Sequence, residues 1–259
     1  MSISLPRAFA TYPSLRGRTV FVTGGSSGIG ADIVMAFARQ GANVGFTGRN
    51  VQAAAEIVAA AKALGPEPMF LQSDAADVAA LQSAIACTAT QFGDIGVLIN
   101  NVANDQRHDL MSVTADDFDR TVAINLRPHF FSAQAVAEGM KRMGGGAIVN
   151  LGSTSWKTKS KRLPVYATCK SAMVGLTRSM ARELGKFRIR VNTLTPGWVM
   201  TDKQIKLWVD AAGERAMDEN QCLPGHILGS DVANMAVFLS ADDSCMVTAQ
   251  DFVVDAGWT

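Results

Sequence analysis

The chain has 259 residues, 48% of them hydrophobic, and its 24 Lys and Arg nearly cancel its 23 Asp and Glu. A net charge of +1 excludes a polybasic nucleic-acid binder and an acidic disordered chain. No apolar run reaches the roughly 18–20 residues of a membrane span, and the opening MSISLPRAFATYPSL has no apolar run of a secretory signal.

In chain order, TVFVT at 19–23 predicts a buried strand and 28–39 a helix. A weaker strand follows at 43–47, a helix at 52–64, a strand at 68–72, a helix at 76–92 and a strand at 95–100. Thr114-Ala-Asp-Asp117 has the form of a capping box and opens a helix, with a longer helix after it. A strand at 147–151, a helix at about 165–184 and a strand at 189–194 come next. The segment 202–228 is less regular, a helix lies near 231–240, and the last strand is 251–254. Strands rich in Val and Ile without alternation, separated by helices, predict a parallel sheet covered on both faces. The expected fold is a doubly wound α/β sheet in a single domain over 1–259, with ligands at the carboxyl ends of the strands.

The four cysteines form no CxxC pair, and His108, His129 and His226 lack metal-ligand spacing. These features predict a reduced, cytoplasmic protein with no metal, no nucleic-acid partner and no membrane partner.

The first strand runs into Thr23-Gly24-Gly25-Ser26-Ser27-Gly28-Ile29-Gly30 and then a helix. Glycines let the backbone approach a pyrophosphate closely, and the helix start offers free N–H groups and a positive dipole end. NAD sites usually carry an acidic residue at the end of the second strand, on the ribose 2′-hydroxyl. Here that place reads Phe46-Thr47-Gly48-Arg49-Asn50. A guanidinium suits a phosphate better than a hydroxyl, so Arg49 points to NADP; NAD without an acidic anchor is the alternative.

One of the two tyrosines lies in Tyr166-Ala-Thr-Cys-Lys170, where the i, i+4 spacing puts Tyr and Lys on one helix face. A free phenol titrates at about 10, too high for a base at neutral pH, and a neighbouring cation lowers that value. Tyr166 is therefore the expected acid/base, Lys170 its tuner and a ribose contact, and Ser153 the residue that orients the substrate oxygen.

Together these motifs resemble the short-chain dehydrogenase/reductase family, from about residue 15 to 258. The resemblance rests on 23–30, Asp74, Asn100-Asn101-Val102-Ala103, Asn125, Ser153, Tyr166-xxx-Lys170 and Pro196-Gly197-xxx-Thr201. It implies a Rossmann-like sheet and a tetrad of Asn125, Ser153, Tyr166 and Lys170. Asn125 would hold a water linking Lys170 to solvent, Asp74 would contact the adenine region and Asn100 would support the cofactor site. Pro196, Gly197, Val199 and Thr201 would line the nicotinamide, with Gly24, Ser26, Ser27, Gly28, Ile29 and Gly30 on the phosphates. It also implies a homotetramer built on long helices around 115–143 and 165–184. Ala103 departs from the family's usual glycine.

Within the family the chain is most similar to bacterial aldose 1-dehydrogenases, through 104–108, 152–156, 221–223 and 255–259. That implies transfer of hydride from C1 of an aldose to NAD(P)+, giving an aldonolactone. Asn104, Trp156 and Gln221, with His108 and Trp258, are the expected sugar contacts, since an indole stacks on a pyranose and amides bond its hydroxyls. The alternative is an NADPH-dependent reductase of a keto group on a sugar acid, ketone or acyl chain. Segment 198–228, with Trp198, Met200 and Trp208, is the expected substrate lid. Lys157, Lys159, Lys161 and Arg162 beside the site either face water or steer an acidic sugar.

Overall fold

The computed structural model describes residues 9–259; the first part of the N-terminal segment discussed above, 1–8, lies outside the described residues. Seven parallel strands form one sheet in the order β3-β2-β1-β4-β5-β6-β7. They are β1 (Thr19–Val22), β2 (Asn43–Gly48), β3 (Met69–Gln72), β4 (Val97–Asn100), β5 (Gly146–Leu151), β6 (Ile189–Pro196) and β7 (Asp251–Val254). Each predicted strand is present, with ends moved by at most two residues and β7 unmoved. No described helix is long and apolar enough to cross a membrane.

The continuous apolar runs have a direct cause. Val20 and Val22 of β1 pack on one face of the sheet, against α1 (Gly28–Arg39) and α9 (Gly229–Ser240). Phe21 between them packs on the other, against α3 (Val78–Phe92) and α5 (Arg127–Arg142). With both faces buried, a strand has no solvent side to alternate with. The remaining helices are α2 (Val51–Lys62), α4 (Ala115–Asn125), α6 (Pro164–Leu184), α7 (Asp202–Leu207) and α8 (Ala211–Asn220).

The capped helix and the longer helix expected after Thr114 are α4 and α5. Thr114 starts α4 with the predicted capping box, its hydroxyl accepting from the Asp117 amide at 3.1 Å. The chain breaks at Leu126 (φ −131, ψ −53), because Pro128 has no N–H and its ring would clash with the carbonyl four residues earlier. The segment expected to be irregular holds α7 and α8. Both are short, and each is started by a side-chain cap, Thr201 and Asp210 respectively.

The strand order reverses between β1 and β4, where connections diverge to opposite sides. At such a switch point a crevice opens beyond the carboxyl ends of the strands.

Candidate active site

A cleft of about 900 Å³ occupies that crevice, running from the glycine loop after β1 to the start of α6 and the lid segment. Gly24 (φ +71) and Gly28 (φ +53) use backbone conformations that favour glycine. A Cβ on Gly30 would lie 2.0 Å from the Gly24 carbonyl oxygen. Ser27, at the N-cap of α1, makes no cap hydrogen bond, so the first-turn amides keep their donors for an anion in the cleft.

The loop is held by Asn101. Its side-chain amide donates to the carbonyls of Thr23 and Gly24, both at 3.0 Å, while Thr23 Oγ1 accepts from the Asn101 and Val102 amides. Sequence reasoning expected Asn100 to support the cofactor site. Asn100 is fully buried behind the cleft, donating to the His129 carbonyl and to Asn150 Oδ1 and accepting from Ser132. Its successor alternates to the other side of the strand end and touches the loop.

Arg49 and Asp74 line the same stretch of cleft as Ser26, Ser27 and Ile29. Gly48 presses on the loop, since a Cβ there would meet Ser26 Oγ at 2.4 Å. The glycine cradle, the free amides and a cation at the end of β2 form a donor set that fits a dinucleotide carrying phosphate.

At the other end, Ser153 follows β5 and Tyr166 stands in the first turn of α6. Both line the cleft and are hydrogen-bonded to each other. Lys170, one turn on, is 1% exposed and donates to the Leu151 carbonyl at 2.7 Å. Its Nζ is 5.9 Å from the Tyr166 ring centre. Burial pulls the Lys170 ammonium down to about 8. Burial, aided by the Asp105 charge, also pushes the Tyr166 phenol up, and the Ser153 hydrogen bond opposes that only in part. The expected lowering of Tyr166 by Lys170 is thus outweighed: desolvation disfavours the charged form of both groups.

Asn125 ends α4 fully buried. Its Oδ1 accepts from the Asn104 amide at 2.8 Å and its Nδ2 donates to the Asn104 carbonyl at 3.1 Å. It therefore fixes the loop that carries Asn104 into the cleft. Pro196, Gly197, Val199 and Thr201 line the cleft beside Tyr166.

Of the expected sugar contacts, Asn104 and Trp258 line the cleft, and Trp156, Gln221 and His108 do not. Trp156 is 38% exposed, on a short turn that directs its ring toward Lys157. Gln221 caps the end of α8, and His108 borders a separate cavity of about 40 Å³ beside Asn125. Trp198 of the expected lid lines the cleft, and so do Asp105, Arg107 and Gln204, which sequence reasoning did not single out as contacts. Asp105 accepts from Lys203 and from Gln204 Nε2 (2.8 Å), and Gln204 Oε1 accepts from Trp198 Nε1 (3.0 Å). In the basic loop, Lys157 pairs with Asp251 at 3.3 Å and Arg162 with Asp109 at 3.2 Å, while Lys161 lines the cleft.

A family model described as Enoyl-(Acyl carrier protein) reductase matches residues 24–259. A protein of Rhizobium meliloti (strain 1021) named "Probable galactose dehydrogenase GalD" is 41% identical over 249 residues, covering 95% of this chain and 96% of its own. The D-xylose 1-dehydrogenase of Caulobacter vibrioides (strain NA1000 / CB15N) is likewise 41% identical, covering 96% and 98%. The solved structure of a short-chain dehydrogenase/reductase from Serratia marcescens BCRC 10948 superposes with a TM-score of 0.88 at 32% identity, covering 95% of this chain and 99% of that one.

Proposed function

The chain belongs to the short-chain dehydrogenase/reductase family of NAD(P)-dependent oxidoreductases, and from that premise we propose that it oxidises C1 of a cyclic aldose, with NADP+ the favoured acceptor. The observation that carries the reading is that the glycine loop, the Ser153–Tyr166 pair and Asn104 share one cleft in a chain 41% identical to relatives named for galactose and xylose.

The cofactor's phosphates would be held by the amides from Gly24 to Gly30, and a 2′-phosphate by Arg49. Asp74 would meet the adenine end. Pro196, Gly197, Val199 and Thr201 would line the ring end. When bound, the dinucleotide supplies the hydride acceptor. Ser153 holds the anomeric oxygen, and Tyr166 takes its proton as the C1–H bond breaks and C1=O forms, giving the lactone. Lys170 balances the charge left on Tyr166. Asn125 is a positioning residue that holds the Asn104 loop. A cytoplasmic homotetramer completes the reading, supported by free cysteines and by the exposed rings of Phe118 on α4 and Phe130 on α5.

Initial rates with NAD+ and NADP+, against pentoses, hexoses and sugar acids, test the proposal. Aldose turnover with NADP+ preferred is the expected result. Silence on every aldose, with a ketone or keto acid reduced by NADPH, moves the chain to the keto-reductase reading.

A further inference from the structure

The lid side of the cleft is lined by three cations, Arg107, Lys161 and Lys203. Lys203 is paired with Asp105. Among the described residues Arg107 and Lys161 have no carboxylate partner. Asp105 is the acidic side chain lining this end, and Lys203 and Gln204 occupy it. The end of the cleft where a substrate would sit is therefore net positive.

Arg107 is more than a stray surface charge. Its guanidinium carbon lies 3.7 Å from the ring centre of Trp208, which follows α7. Arg107 Nε and Trp208 Nε1 are both buried, and neither has a hydrogen-bond acceptor. Both atoms can only donate, and they belong to one stacked pair. A buried donor without an acceptor is costly, and of this pair Arg107 lines the cleft while Trp208 does not. Stacking occupies the face of the guanidinium, Nε is buried, and the two in-plane Nη groups are left for a two-oxygen partner.

We propose that this end of the cleft binds the anionic group of an acidic aldose, a carboxylate or a phosphate ester remote from C1. Arg107 is the specificity-determining residue, Trp208 fixes its plane, and Lys161 attracts the charged substrate from the cleft mouth. The proposal rests on the aldose reading above. It also divides the basic loop: Lys157 and Arg162 serve local ion pairs, and Lys161 serves the site.

The test is kcat/KM of the whole enzyme for D-galactose against D-galacturonate, and for D-glucose against D-glucuronate and glucose 6-phosphate. The expected result is at least a tenfold preference for an acidic sugar over its neutral counterpart. Preference in the uronate arm assigns a carboxylate; preference in the phosphate arm assigns a phosphate ester. Arg107→Gln should lower the acidic-to-neutral ratio at least tenfold, Arg107→Lys should recover part of it, and Lys161→Ala should lower it about threefold. A wild-type ratio of one or less in both arms overturns the proposal while leaving the aldose reading intact. A ratio that survives Arg107→Gln and Lys161→Ala overturns the assignment to these residues. If no aldose of either kind is oxidised, the aldose reading itself falls.

Discussion

The ammonium of Lys170 is held by the carbonyl oxygen of Leu151, 2.7 Å away at the end of β5. One strand end thus fixes the cation and, two residues on, presents Ser153 to Tyr166. The pair proposed to handle the proton is set by backbone geometry at a buried strand end, and its chemistry can be tested residue by residue.

Removing the Tyr166 hydroxyl should abolish proton transfer and little else. Tyr166→Phe is expected to lower kcat about 10³-fold, with the melting temperature and dinucleotide affinity close to wild type. Steady-state rates beside a dinucleotide titration check this. Activity within tenfold of wild type would remove Tyr166 from the acid/base role.

The pH dependence follows from Lys170, whose burial brings it down to about 8. A pair that has lost one proton holds either phenol beside amine or phenolate beside ammonium, and these carry the same proton count. The second form is the base that oxidation needs. So kcat/KM for oxidation should rise with pH and bend near 8, and the reverse reduction should fall through the same range. Lys170→Gln should move the bend upward, because burial of Tyr166 then acts without a neighbouring cation. A pH–rate profile without a bend in that region would contradict the coupling.

Arg49 should decide between the two dinucleotides. Arg49→Ala is expected to raise KM for NADP+ about tenfold and to change KM for NAD+ less than twofold, since the contact with a 2′-phosphate is exposed and charge-assisted. Equal effects on both KM values would show that the residue does not read the phosphate.

Gly30→Ala places a methyl where the Gly24 carbonyl already lies, 2.0 Å from the ideal Cβ. The loop must shift, at a cost of about 1–3 kcal/mol. Thermal melting should fall by several degrees, and KM should rise for NAD+ and NADP+ together. A variant with wild-type dinucleotide KM values would mean that the cradle is not the phosphate site.

The sheet was legible because its inner strands, β1, β2, β4, β5 and β6, are buried on both faces and therefore read as apolar runs between helices. The glycine loop and the Tyr166–Lys170 spacing were legible because they are local. Contacts between distant segments were not. Nothing in the run Gln106-Arg107-His108 reveals that Arg107 stacks on a tryptophan about a hundred residues later. The stiffness of a short turn turned Trp156 outward, where its composition suggested a sugar platform. The period of two at the end of β4 puts Asn101, to which no role was assigned, on the glycine loop, and Asn100 behind the cleft. The sign of the shift at Tyr166 depends on how much water the fold removes, which no spacing records.

Asp105 and Arg107 hold α7 and the residue after it from the same short loop, the first through Lys203 and Gln204 and the second through Trp208. The piece of chain that would choose the substrate is therefore also the latch on its exit. A substitution at 104–108 made to broaden substrate choice is therefore expected to loosen α7 and Trp208 as well. Engineering this loop for a new sugar will change turnover along with preference, and the two can be separated only by changes on the α7 side.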